Sequence, residues 1–147
     1  MKIVIQRVKQ AKVKVNSEVI GKIQQGLLIL IGVEKGDELS DIEYLASKIL
    51  NLRIFEDENS KMKLSVTDIQ GEILAVSQFT LLGDCRKGRR PSFDKSAKGE
   101  EAMELYNYFV EELKKSDLNI QTGQFGAHME VELINDGPLT FILDSKK

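Results

Sequence analysis

Gly26-Leu27-Leu28-Ile29-Leu30-Ile31-Gly32-Val33 is an unbroken apolar run bounded by glycine. Such a run is too short for an ordinary buried helix. It suits a central strand covered on both faces, where alternation disappears because neither side meets water. A chain of 147 residues is long enough to bury one core around such a strand without disulfide or metal staples.

Upstream of the run, Ile3, Ile5 and Arg7 share one face of an extended segment, with Val4, Gln6 and Val8 on the other. Ala11 to Val15 alternates again, Asn16-Ser17 supplies turn chemistry, and Val19-Ile20 resumes a strand. Lys9 and Lys12 break the alternation, so a bulge or bend is expected between the first two strands. Downstream, Ser40-Asp41-Ile42-Glu43 carries a capping-box signature, and Ile42, Leu45, Ala46, Ile49 and Leu50 follow at helical spacing as far as Asn51. Leu52 to Phe55 reads as a strand, Glu56 to Asn59 as a polar turn, and Ile73 to Gln78 as a short strand. A second amphipathic helix is expected from Ser96 to Lys115, with Glu100 and Glu101 at its front and Lys114 and Lys115 at its end to complement the helix dipole. Ile120 to Gln124, Met129 to Ile134 and Leu139 to Leu143 read as strands. The order shows no regular βαβ alternation. It predicts an α+β fold, one domain over residues 1–147, with a curled, barrel-like mixed or antiparallel sheet and two main helices.

Composition narrows the function classes. A net charge of −2 argues against a broad basic field, so any RNA contact must come from a local patch. The single cysteine, Cys85, allows no internal disulfide and fits a reducing compartment. Cys85 and the single histidine, His128, leave a structural zinc site short of ligands, and no metal or cofactor is expected. No run of about 18 apolar residues occurs, and the opening Met1 to Arg7 turns polar too soon for a signal peptide. The cytoplasm is the expected location.

Three segments offer chemistry. Ser77-Gln78-Phe79-Thr80-Leu81 places polar side chains where an apolar strand opens, a rigid yet accessible position. Its bland reading is local satisfaction of backbone groups by Ser77 and Thr80. Asn135-Asp136-Gly137-Pro138-Leu139-Thr140 must interrupt any strand, since proline lacks an N–H; its bland reading is a plain hairpin turn. Gly83 to Pro91 concentrates Arg86, Lys87, Arg89 and Arg90, which suit phosphate contacts, or else form a mobile solvated loop. His128 with Ser77, Thr80 or Asp136 lacks the Gly-x-Ser-x-Gly context of a presented nucleophile, and a lone histidine at a strand entrance is more often structural.

Taken together, the segments at 77–81 and 135–140 resemble the two signature motifs of the D-aminoacyl-tRNA deacylase family. Gln6-Arg7-Val8 and Phe125-Gly126-Ala127-His128-Met129 match it too, and the resemblance extends over essentially the whole chain. Leu139 stands where valine is more usual. The resemblance implies hydrolysis of the ester between a D-amino acid and tRNA by a homodimer with active sites at the subunit interface. It implies that Ser77, Gln78, Phe79 and Thr80 form the catalytic segment, and that Gly137, Pro138 and Thr140, steadied by Arg7, bind and select substrate. Gly137-Pro138 would be a cis peptide entering the partner's pocket, its carbonyls obstructing an L side chain. Glycine mischarged on tRNA(Ala) would then not be fully excluded. Two proton routes stay open: Thr80 as nucleophile, or the terminal ribose 2′-OH assisting water.

Overall fold

In the computed structural model, which describes residues 1–147, the apolar run forms strand β3 (Gly26–Gly32). Leu27, Ile29 and Ile31 enter a core shared with the helices, while Leu28, with Leu30 beside it, enters a second core inside the curled sheet. Both faces are covered, as the missing alternation predicts. β1 (Lys2–Val15) lies antiparallel on one side of β3, and β6 (Glu72–Ser77) lies parallel on the other, followed by parallel β7 (Ile120–Thr122). β2 (Glu18–Ile23) pairs with the second half of β1 through a turn in which Asn16 and Ser17 have φ of 50° and 65°. Two consecutive positive φ values match the right-handed twist that tight hairpins require. β8 (Glu130–Asp144) takes the remaining edge of β1. With β2 curling back against β6 and β7, the mixed sheet nearly closes into a barrel.

The two helices, α1 (Leu39–Asn51) and α2 (Gly99–Lys114), lie against each other over the outer face of this sheet. Each buries one stripe: Ile42, Leu45, Ala46 and Ile49 from α1, and Ala102, Tyr106, Phe109, Val110 and Leu113 from α2. Neither helix is long and apolar enough to cross a membrane.

Several boundaries differ from those expected of the sequence, each for a backbone reason. The first two expected strands are one continuous β1, whose register against β8 shifts between Val8 and Gln10. Ile3 and Ile5 accordingly face the helix core, while Val8, Ala11 and Val13 face the inner core. α1 is capped at Glu38 rather than Ser40, because the Glu34–Asp37 turn delivers the chain early and Asp41 accepts the Glu38 N–H at 2.7 Å. Of Leu52 to Phe55 only the last residue pairs, in the two-residue strand β4 (Phe55–Glu56) against β5 (Met62–Leu64), a strand that no local pattern announces. α2 starts at Gly99 rather than Ser96. The Lys35 and Ala97 amides bond to Lys95 and Val33 carbonyls, holding residues 95–97 against the end of β3.

The Met1 ammonium is fully buried and donates to Asp37 Oδ1 at 2.6 Å and to Ser145 Oγ at 2.9 Å, tying both ends of the chain to the turn before α1. Removing one partner of a buried ion pair strands the other charge. Asp37→Ala is expected to lower unfolding free energy by about 3 kcal/mol, read by urea denaturation.

Candidate active site

β6 pairs with β3 as far as Ser77, and the Gln78 amide adds one more bond to Ile31 O at 2.7 Å. The chain then tightens into a 3-10 turn, Phe79–Leu82. Gly32 gives that turn room, since a Cβ there would stand 3.1 Å from both Gln78 O and Leu81 Cβ and would press on the Leu82 side chain. The leading amides of such a turn, here Phe79 and Thr80, have no acceptor within it. Gln78 Nε2 donates to Thr80 Oγ1. A carboxamide takes up no proton near neutral pH, so this contact orients Thr80 without activating it.

Ser77 and Phe79 open into a cavity of about 430 Å³ whose other walls include Ile31, Val33, Phe93 and Phe125. The half-exposed Phe79 ring meets Phe93 edge-on at 5.1 Å. Phe125 leans on Tyr106 at 5.7 Å, and the Tyr106 hydroxyl donates to Ala75 O at 2.9 Å, two residues before Ser77. Burial raises the Tyr106 phenol to about 12, which leaves it a neutral structural donor. Lys98, just ahead of α2, is the one acidic or basic side chain in the cavity wall.

The second segment is neither a hairpin nor a break between two strands. β8 continues in one direction through it, yet its register against β1 jumps: Gln6 faces Thr140, and Val8 faces Asn135. Arg7 alone therefore stands opposite Asp136, Gly137, Pro138 and Leu139, and the surplus residues stand out as a protrusion. Arg7 is buried beneath it. Its Nε donates to Asp136 O at 2.8 Å and its NH1 to Ile54 O at 2.7 Å. Leu139 anchors the protrusion in the main core, whereas Gly137 and Pro138 are exposed. Thr140 Oγ1 accepts from Gln6 Nε2 at 3.2 Å. The Gly137-Pro138 peptide is cis.

One chain does not bring the two segments together. Ser77 lies level with Ile31 and Ile3, while the protrusion lies level with Arg7 and Leu27, three strand spacings across and four residues along. Followed along the curved sheet, that offset is on the order of 20 Å.

The basic loop is pinned at its neck, where Asp84 and Ser92 exchange backbone bonds of 2.7 and 2.9 Å. Within it, Asp84 grips Arg86 through Nε at 2.9 Å and NH2 at 2.6 Å, and these bonds hold the Asp84 carboxyl well below the usual carboxylate range. Lys87, Arg89 and Arg90 carry no ion pair. Cys85 and His128 are exposed, and neither lines the cavity. Phe93, Lys98 and Ala102 join the cavity wall although no local signal marks them. They come from a loop and a helix start whose position depends on the end of β3.

A family model described as D-Tyr-tRNA(Tyr) deacylase matches residues 4–144. The chain belongs to the D-Tyr-tRNA(Tyr) deacylase family. A D-aminoacyl-tRNA deacylase of Thermosipho africanus is 61% identical over 147 residues, covering 100% of this chain and 99% of that one. Among solved structures, one described as c-Myc DNA Unwinding Element Binding Protein is 45% identical with a TM-score of 0.92, covering 98% of each chain. A probable eukaryotic D-amino acid tRNA deacylase shares the fold, with a TM-score of 0.83 at 17% identity and 97% coverage of both chains. As a member of the D-Tyr-tRNA(Tyr) deacylase family the chain is a hydrolase.

Arg7 bridges two backbone carbonyls from a buried position, where charged hydrogen bonds count most. Arg7→Ala is expected to cost about 3 kcal/mol in urea denaturation, and Arg7→Lys most of that, because a single ammonium cannot reproduce the fork.

Proposed function

We propose that this D-aminoacyl-tRNA deacylase works in the cytoplasm as a homodimer, with the protrusion of each subunit entering the cavity of the other. The observation that carries this reading is the separation of Ser77–Thr80 from Gly137–Pro138 within one chain. Two further features support it. β8 pairs with β1 on one edge only, and a long unpaired edge strand calls for cover. Ile142, on that strand, is 74% exposed beside a hollow of about 490 Å³ that it shares with Val4, Tyr44 and Leu81. An apolar surface of this kind suits burial against a second copy.

The terminal aminoacyl-adenosine enters the cavity, and the Phe79 and Thr80 amides receive the oxyanion as the ester carbonyl is attacked. Ser77 and Gln78 fix the turn that aims these amides. Lys98 is the one titratable side chain lining the cavity, and Thr80 is bonded only to a carboxamide. This favours the ribose 2′-OH as the group that assists water, over Thr80 as nucleophile. The partner's Gly137 and Pro138 carbonyls face the substrate α-carbon and obstruct an L side chain, whereas a D side chain points to open space. A rigid backbone obstacle rejects more strongly than the roughly 1–3 kcal/mol that a missing pocket contact provides. Glycine, with no side chain to reject, remains a substrate when mischarged on tRNA(Ala). Arg86, Lys87, Arg89 and Arg90 contact tRNA phosphates, with Arg86 also tied to Asp84 within the loop. A net charge of −2 fits such a local contact better than broad duplex binding.

D-tyrosyl-tRNA is expected to be hydrolysed and matched L-tyrosyl-tRNA spared at equal enzyme; equal rates, or an inert D form, sink the proposal. Thr80→Ala should keep most single-turnover activity, and a terminal 2′-deoxyadenosine should lose nearly all of it. Abolition by Thr80→Ala with the fold intact transfers the central role to Thr80. Replacing Lys87, Arg89 and Arg90 together by alanine should weaken tRNA binding and flatten its salt dependence, with little change in the chemical step. Sedimentation should give twice the chain mass.

A further inference from the structure

The protrusion opposite Arg7 has two feet, Asn135 and Leu139, and one side chain spans them. Asn135 Nδ2 donates to Leu139 O at 2.9 Å, and the Leu139 amide donates back to Asn135 Oδ1 at 3.4 Å. A carboxamide carries donor and acceptor groups in one plane, as a peptide does, so this pair of bonds takes the place of a missing strand rung. Arg7 holds only the Asp136 shoulder, and Gln6 holds only Thr140. Gly137 lies directly over the same carboxamide: a Cβ there would stand 2.1 Å from Asn135 Oδ1 and 2.3 Å from Leu139 N.

We propose that Asn135 is a positioning residue for stereochemical selection, its carboxamide closing the protrusion so that the Gly137 and Pro138 carbonyls keep one direction. The proposal rests on the proposed function above, in which those carbonyls obstruct an L side chain. Aspartate at 135 keeps the acceptor for the Leu139 amide but sets a carboxylate against Leu139 O. Alanine keeps neither bond. Neither replacement touches the Ser77–Thr80 turn, so the effect should fall on selection rather than on the chemical step.

The test compares kcat/KM for D- and L-tyrosyl-tRNA in the unsubstituted protein, Asn135→Ala and Asn135→Asp, with amide hydrogen exchange at Leu139. The D-to-L ratio should fall at least tenfold in Asn135→Ala and clearly in Asn135→Asp. Leu139 should exchange faster in both, with β3 amides unchanged. A ratio that stays constant overturns the proposal, whether the two rates persist or fall in proportion; so does an unaltered exchange rate at Leu139. If Asn135→Ala does not fold, the same two measurements on Asn135→Asp decide the matter. An unsubstituted protein that does not distinguish D from L fails the underlying function instead, before any variant is made.

Discussion

Surplus residues in a paired edge strand leave backbone groups without ladder partners, and from β1 the Arg7 side chain reaches the first of them, Asp136 O. Its guanidinium donates from a buried position to Asp136 O beside the register jump and to Ile54 O outside the sheet. The charge is tolerable there because both bonds are charge-assisted and because Asp136 Oδ2 lies 3.5 Å from Nε. Around that point the rest follows. β8 can run on as one strand, Leu139 can drop into the main core, and Gly137 and Pro138 can face outward without unravelling the barrel edge.

The cavity works from the opposite logic. Its walls are chiefly apolar and aromatic, and its polar lining is Ser77 at the end of β6 with Ser96 and Lys98 ahead of α2, which contains no acid–base pair. Such a site contributes through orientation and fixed dipoles, which are most effective where water is displaced. Tyr106 illustrates the support this needs. Its hydroxyl ties α2 to Ala75, and its ring backs Phe125, so helix packing sets the end of β6 and one wall of the cavity together.

Much of the scaffold was readable from local pattern. The β3 run, both apolar helix stripes and the Asn16-Ser17 turn correspond to their structures because each depends on residues close in sequence. Apart from the α1 start, which local contacts set, the boundaries that differ have distant partners. Residues 95–97 are drawn from helix into pairing with residues 33–35, just past β3, and Ile54 O is taken by Arg7, partners that lie tens of residues away. The basic loop shows a further limit, between neighbours two residues apart. Four like charges are visible in the chain, but the bidentate contact from Arg86 to Asp84 depends on how the loop folds.

The sequence by itself determined an α+β chain with a doubly covered central strand, the two motif segments, and their resemblance to one family. These rest on hydrophobic period and on residue identity, which are local properties. Only the tertiary structure decided that Asn135 to Thr140 is a protrusion within one strand rather than a turn between two, since that follows from register against β1. It also decided that Ser77–Thr80 and Gly137–Pro138 lie far apart in a single chain. Register and strand order are set by packing across the whole sheet, and no local pattern carries them.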